Sequence, residues 1–274
     1  VEGSAIRNML PDAEVGGRGI SGQAYLMTGA PATLVVSSSL VEQNQDFGVF
    51  AEGSNVTLDA SVVRATQPNA QGSFGRGVGL QAHATTPSSL LMHGSLIEQN
   101  QQIGVALSGS TASLETSVIR GSLRGVNAQP DETTTAPSQL SMLGVLVEQS
   151  LEAGVATLGS DATLDACIVR ATTGGPDGRY GNGVMVISEL RPASVAISAS
   201  RVEQSLLAAV AVWGARAAIR GSALVCQAYD LDSESYDGSP AVLDDLGDNV
   251  CGCPEPTSSC KAVSAGLEPP APLD

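Results

Sequence analysis

Aromatic side chains are nearly missing from this chain, at 3% of 274 residues, which excludes a large irregular core built on Phe, Tyr and Trp. Apolar residues still make up 42%, so small and branched aliphatics must fill the interior, and a narrow, regular one is implied. Basic residues are also scarce. Thirteen Lys and Arg against 28 Asp and Glu leave a formal net charge of −15, which repels a phosphate backbone and an anionic lipid surface. Nucleic acid is thereby excluded as a partner. Membrane insertion is excluded too, because no stretch approaches the roughly 18–20 uninterrupted apolar residues of a spanning helix. Histidine is limited to His83 and His93. Neither lies beside a nucleophile motif, so both are expected on loops or at the surface.

What is present is a repeat. Ser39-Leu40-Val41-Glu42-Gln43-Asn44 returns as Ser95-Leu96-Ile97-Glu98-Gln99-Asn100, Val145-Leu146-Val147-Glu148-Gln149-Ser150 and Ser200-Arg201-Val202-Glu203-Gln204-Ser205. A related unit falls between these copies, at Ser61-Val62-Val63-Arg64, Ser117-Val118-Ile119-Arg120 and Cys167-Ile168-Val169-Arg170. Gly-Val or Gly-Ile marks each coil, at Gly19, Gly48, Gly77, Gly104, Gly125, Gly154 and Gly183. A third signal is a small residue followed by an aliphatic, as at Thr33-Leu34 and Thr57-Leu58. Three short apolar segments per coil, broken by Gly, Ser and Asn, are too short for helices and read as strands between tight bends. Leucine-rich and propeller repeats lack their signatures here.

This pattern resembles the right-handed parallel β-helix of the pectate-lyase-like superfamily, of a secreted bacterial type, with no specific enzyme family visible in it. The expected fold is all-β, a solenoid of about eight coils over residues 1–226. It begins in mid-coil, with natural chain expected upstream of Val1, and residues 227–274 form an acidic, Cys- and Pro-rich cap and tail. The column Val41, Val63, Ile97, Ile119, Val147, Val169, Val202, Val225 is expected to point inward. The residue after each then faces out, giving the axial series Arg7, Glu42, Arg64, Glu98, Arg120, Glu148, Arg170, Glu203 with alternating sign. Small polar residues at the next turn, from Asn44 to Ser205, are expected to bond backbone groups left over at the bend.

Cys226, Cys251, Cys253 and Cys260 form an even set beside the tail. Their spacing does not suit zinc, so two disulfides of undetermined pairing and an oxidising, extracellular or cell-surface compartment are expected. Cys167 stands in a column of small residues and is expected as a packed free thiol.

The resemblance implies polysaccharide lyases and hydrolases, which gather acidic residues, often with Ca²⁺ or a basic group, on one strand face. Here Asp59 with Arg64, Glu115 with Arg120 and Asp165 with Arg170 recur every second coil, which points to scaffold rather than to a unique active site. Asp230, Asp232 and Glu234 alternate as in a calcium loop, but Ser235 stands where a glycine is expected, so no cofactor is expected and Ca²⁺ is a weak candidate. Gly17-Arg18-Gly19-Ile20-Ser21-Gly22 fits the dinucleotide spacing without the strand and helix it needs.

The aliphatic row Leu40, Val62, Leu96, Val118, Leu146 and Ile168 is a candidate partner surface, and loops 8–18, 65–76, 127–138 and 171–182 should form a rim beside the Gly-Val strand. The leading expectation is therefore an extracellular, non-catalytic structural or partner-binding solenoid, with a protein or glycan partner or self-association. The alternative is a polysaccharide-active enzyme or carbohydrate-binding protein.

Overall fold

The computed structural model describes every residue except 11–15, 26, 256, 258, 259, 271, 272 and 274. It is a right-handed parallel β-helix made of three parallel sheets, of ten, ten and nine strands, whose neighbours come from successive coils. Sheet I holds the three-residue strands, such as Leu40–Glu42 and Val62–Arg64. Sheet II holds the six-residue Gly-Val strands, such as Phe47–Glu52 and Arg76–Gln81. Sheet III holds the five-residue strands, such as Asn55–Asp59. The stack runs past residue 226: Tyr229–Glu234 joins sheet II and Val242–Asp245 joins sheet III, so part of the acidic segment forms further rungs.

Two corners of each coil are turned by a single residue in the left-handed region. Between sheets I and II it is Gln43, Ala65, Gln99, Gly121, Gln149, Ala171, Gln204 and Cys226, at φ of 54–69°. Only one of the eight is glycine, so the fold overrides a local cost of roughly 1–2 kcal/mol at each of the others. Glycine is needed two strides later. A Cβ on Gly48 would lie 2.4 Å from Val63 Cγ1 and 2.7 Å from the Gly77 carbonyl oxygen, because this corner closes directly onto the core.

The core is a stack of aliphatic slices. Val41, Val63, Ile97, Ile119, Val147, Val169 and Val202 are fully buried, as expected. The eighth position is Leu224, which pairs with Val202, whereas Val225 pairs with Glu203 and occupies the column of the charged series. The sequence alignment slipped by one residue there because Ala-Leu-Val is apolar throughout and gives no alternation to read.

The charged series is a true axial ladder, with Arg7, Glu42, Arg64, Glu98, Arg120, Glu148, Arg170 and Glu203 in successive register. Arg64 donates to Glu42 at 2.9 and 2.8 Å, and Arg120 and Arg170 hold Glu98 and Glu148 in the same way. At the sheet I to sheet II corner the asparagines behave as expected: Asn44 and Asn100 accept from the backbone N–H groups of Met9 and Thr66. The hydroxyls of Thr66, Ser122, Ser150, Thr172 and Ser205 are buried without a partner, so that expectation holds only for the longer side chains. A polar ladder runs instead at the sheet III to sheet I corner, where backbone N–H groups donate to the next serine hydroxyl, from Ser39 to Ser61, Ser61 to Ser95 and Ser95 to Ser117, and again from Cys167 to Ser200 beyond the interruption at Val145. Cys167 occupies this ladder as a buried free thiol. Cys226–Cys253 and Cys251–Cys260 are the two disulfides, tying the last rungs to the chain beyond them.

Candidate functional site

Among the described residues, the strands of sheet II from Phe47–Glu52 to Ala208–Trp213 are buried on both faces over most of their length. They place the first, fourth and sixth residues outward, and loops lengthen along both margins, although on the first margin the fifth coil keeps a three-residue turn at 121–123. On one margin stand 65–75 and 171–181, together with 8–19, of which 11–15 lie outside the described residues. On the other stand 82–88, 130–138 and 188–193, facing two-residue turns such as Gly53-Ser54 and Gly109-Ser110 in the coils between. The expected rim therefore forms, but on two sides. Residues 127–129 belong to the strand Arg124–Gln129, and the lengthened part of that loop is across the sheet from the others. The result is a trough along the axis.

The trough has two chemically distinct halves. In the upstream half all three phenylalanines of the chain come together. Phe47 lies 4.8 Å from Phe50 and 5.3 Å from Phe74, with Arg18 seated 3.9 Å over the Phe50 ring and Arg76 5.0 Å over Phe74. Gly79 makes this possible, since a Cβ there would meet Phe47 Cε1 at 2.3 Å. Beside the rings is a recess over Gly79 and Ala106, bordered by Gln81, Ser108, Asn127 and Gln129.

The polar groups of this half are held by one another. Arg124, fully buried, donates to Glu152 at 2.6 Å and to Asn127 at 3.0 Å, and Asn127 donates to Gln129 at 2.9 Å. Burial draws the Arg124 and Arg18 guanidinium groups below their ordinary values against the opposing pull of Glu152 and Asp46. Asp46 is raised by burial, with Arg18 opposing, and its Oδ1 is buried with no hydrogen-bond partner. At the margin His83 Nδ1 lies 3.0 Å from Glu52 Oε1, and Gln23 donates to the other oxygen of Glu52 at 2.9 Å.

The downstream half is apolar. Ala153, Ala156, Leu158, Met185, Ile187, Ala208, Ala211 and Trp213 form a cluster of their own outside the solenoid core. Beyond it Asp232 is fully buried, and burial first, then the neighbouring Glu234, push its carboxyl up to about 6 against a backbone hydrogen bond from Ala265.

Several sequence candidates are not brought together. Asp59, Glu115 and Asp165 sit on sheet III while Arg64, Arg120 and Arg170 sit on sheet I, so those pairs do not share a face. Asp230 faces Gln227, and Asp232 and Glu234 accept hydrogen bonds from residues 264–266. Among the described residues no group of three His, Cys, Asp or Glu is placed to hold a metal ion. The Gly17–Gly22 stretch runs from a loop into a strand, with no helix after it. Leu40, Val62, Leu96, Val118 and Leu146 are half-buried on sheet I, and Ile168 is 39% exposed. The sequence signal missed the phenylalanine cluster and the His83–Glu52 pair, since neither has a fixed spacing.

No protein-family model matches this sequence, and no curated protein matches it. Solved structures do resemble the fold. Pectate lyase Pel9A superposes with a TM-score of 0.50 at 11% identity over 88% of this chain and 62% of its own. The Agl-KA catalytic domain gives 0.57 at 14%, over 81% and 42%, and the periplasmic alginate epimerase AlgG gives 0.51 at 13%, over 81% and 52%. The chain thus spans about half the length of these structures, and at such identities the likeness shows the parallel β-helix fold. Two of these neighbours are named as a pectate lyase and an alginate epimerase, and that finding corrects the expectation of a non-catalytic structural or partner-binding solenoid in favour of its alternative. The disulfides are compatible with an extracellular compartment.

Proposed function

We propose that this chain is a secreted, polysaccharide-active protein that takes an extended glycan along the sheet II trough. The observation that carries this reading is the upstream half of the trough, where rings, guanidinium groups and amide side chains from successive coils converge beside one recess. Amides and hydroxyls are the groups that read sugar hydroxyls. Their mutual hydrogen bonds fix their orientation before a ligand arrives. The fold is shared with a pectate lyase and an alginate epimerase, which supports a glycan over other extended polymers.

His83 is the residue suited to proton transfer. With Nδ1–H donated to Glu52, its Nε2 is the free acceptor, and the carboxylate fixes that tautomer. Glu52 itself is held by Gln23, so the pair is positioned from two coils. The test is incubation with polygalacturonate, alginate and a neutral glucan, with and without added Ca²⁺, reading chain length and new unsaturated or reducing ends. Binding or turnover of one of these, lost in a variant of the recess such as Asn127→Leu, is the expected result. Absence of both binding and turnover across the panel would reject the reading.

A further inference from the structure

The trough is already occupied by the chain itself. After Ala262–Val263 pairs with the last strand of sheet II, the chain turns back along the axis over that sheet's outer face. Ser264 and Gly266 donate to Glu234 at 2.8 and 2.6 Å, and Ala265 donates to Asp232 at 2.9 Å. One coil upstream, Trp213 Nε1 donates to the Leu267 carbonyl at 2.8 Å, and Leu267 packs on the apolar cluster. Glu268 pairs with Arg179 at 3.1 Å, Pro270 is buried, and the Leu273 carbonyl lies 3.5 Å from Arg76 Nη2 in the aromatic half. Asp232 and Arg76 are six rungs apart, about 29 Å. The partners, Ala265 and Leu273, stand eight positions apart in the chain, a maximum reach of about 26–29 Å.

Two features mark this strap as removable. It adds no ladder hydrogen bonds to the sheet beyond Val263; its anchors are side chains, and Ser264, Gly266 and Glu268 are exposed. Beneath it lies Trp213, 1% exposed, flanked on the outer face by Ala208 and Ala211. An indole between small residues is a flat apolar platform with one donor at its edge. A proline-rich strand and the C–H face of a sugar satisfy such a platform in the same manner.

We infer that the segment from Ser264 to Pro270 is a built-in occupant of the glycan trough, which an extended polysaccharide must displace to reach Trp213 and the recess upstream. The inference rests on the trough being the glycan site. Displacement lowers apparent affinity by the fraction of molecules with the strap released, so weakening the strap raises it.

Trp213 is the sole tryptophan and reports the strap directly. Leu267→Ser removes the apolar contact, and Glu268→Ala removes the Arg179 pair without touching the packed cluster, which guards against a folding defect in the first variant. Each full-length variant is titrated with polygalacturonate, alginate and a neutral glucan while Trp213 emission and acrylamide quenching are followed. The expected result is a red-shifted, more quenchable Trp213 in both variants without ligand, and binding about tenfold tighter than wild type in Leu267→Ser. A glycan that binds wild type and both variants equally, with Trp213 emission unchanged, overturns the inference while leaving the proposed function standing. If no glycan binds even where Trp213 is freed, the proposed function fails and the strap has nothing to give way to.

Discussion

The two halves of the sheet II face share one backbone and differ in what they bury. Downstream, small and large apolar residues from coils six to eight pack beneath the strap as any core would. Upstream, the same strand positions bury Arg124, Asn127 and the guanidinium-capped phenylalanines. Apolar burial of that kind stabilises without further arrangement, whereas a buried ion pair roughly breaks even against apolar residues of the same volume. The upstream half therefore gains little stability from its polarity, and its composition fits the proposed glycan-binding role.

The sharpest way to break this comparison is to unbalance each half. Glu152→Gln leaves the Arg124 guanidinium buried without its anion and should cost about 3–5 kcal/mol in a denaturant titration. Arg124→Met combined with Glu152→Leu should be close to neutral in the same titration and should still abolish glycan binding. A double variant that is equally unstable would mean that the polar network is structural. Trp213→Ala in the apolar half should cost about 3–5 kcal/mol, with no such rescue available by charge-neutral replacement.

A catalytic role for the margin predicts a dissociation of effects. His83→Ala should lower turnover of a polysaccharide substrate by about 10²–10⁴-fold while shifting stability by less than about 1 kcal/mol. Turnover within a few-fold of wild type would remove His83 from the chemistry.

Asp232 gives a smaller and pH-dependent effect. Its carboxyl is raised to about 6 in the folded protein, so the folded state binds more protons than the unfolded one between the ordinary carboxylate range and that value. Stability from this group is fully present below about pH 4, is lost as pH rises, and levels off above about pH 6. Asp232→Asn should therefore gain on the order of 1–2 kcal/mol at pH 7.5 and nothing at pH 4. Equal gains at both values would show that the carboxyl is not strained by its burial. Smallest of all, Glu98→Gln in the axial ladder should cost 1 kcal/mol or less, and less again at high salt.

The periodic part of this molecule was legible because coil neighbours stand at nearly fixed offsets in the chain. A buried column such as Val41, Val63 and Ile97 and the alternating Arg and Glu beside it announce themselves as soon as the coils are aligned. Cysteine parity announced the cross-linked end, though not the pairing. The candidate site was not legible for the converse reason. Phe47, Phe50 and Phe74 meet only because one odd-coil loop folds over a glycine, and the strap touches Arg76 from nearly two hundred residues away. Neither contact has a period. Phenylalanines that look scattered along the sequence are brought together in space by an insertion, which the repeat pattern does not show.

The alternation of the charged ladder also bears on how such a chain can lengthen. Deleting or duplicating one coil would place two arginines or two glutamates in axial contact and move the long loops out of phase on both margins. Deleting or duplicating two would leave every neighbour as it was. The repeating unit of the charged ladder is thus a pair of coils, and a variant lengthened or shortened by two coils should keep the alternation that a change of one coil would break.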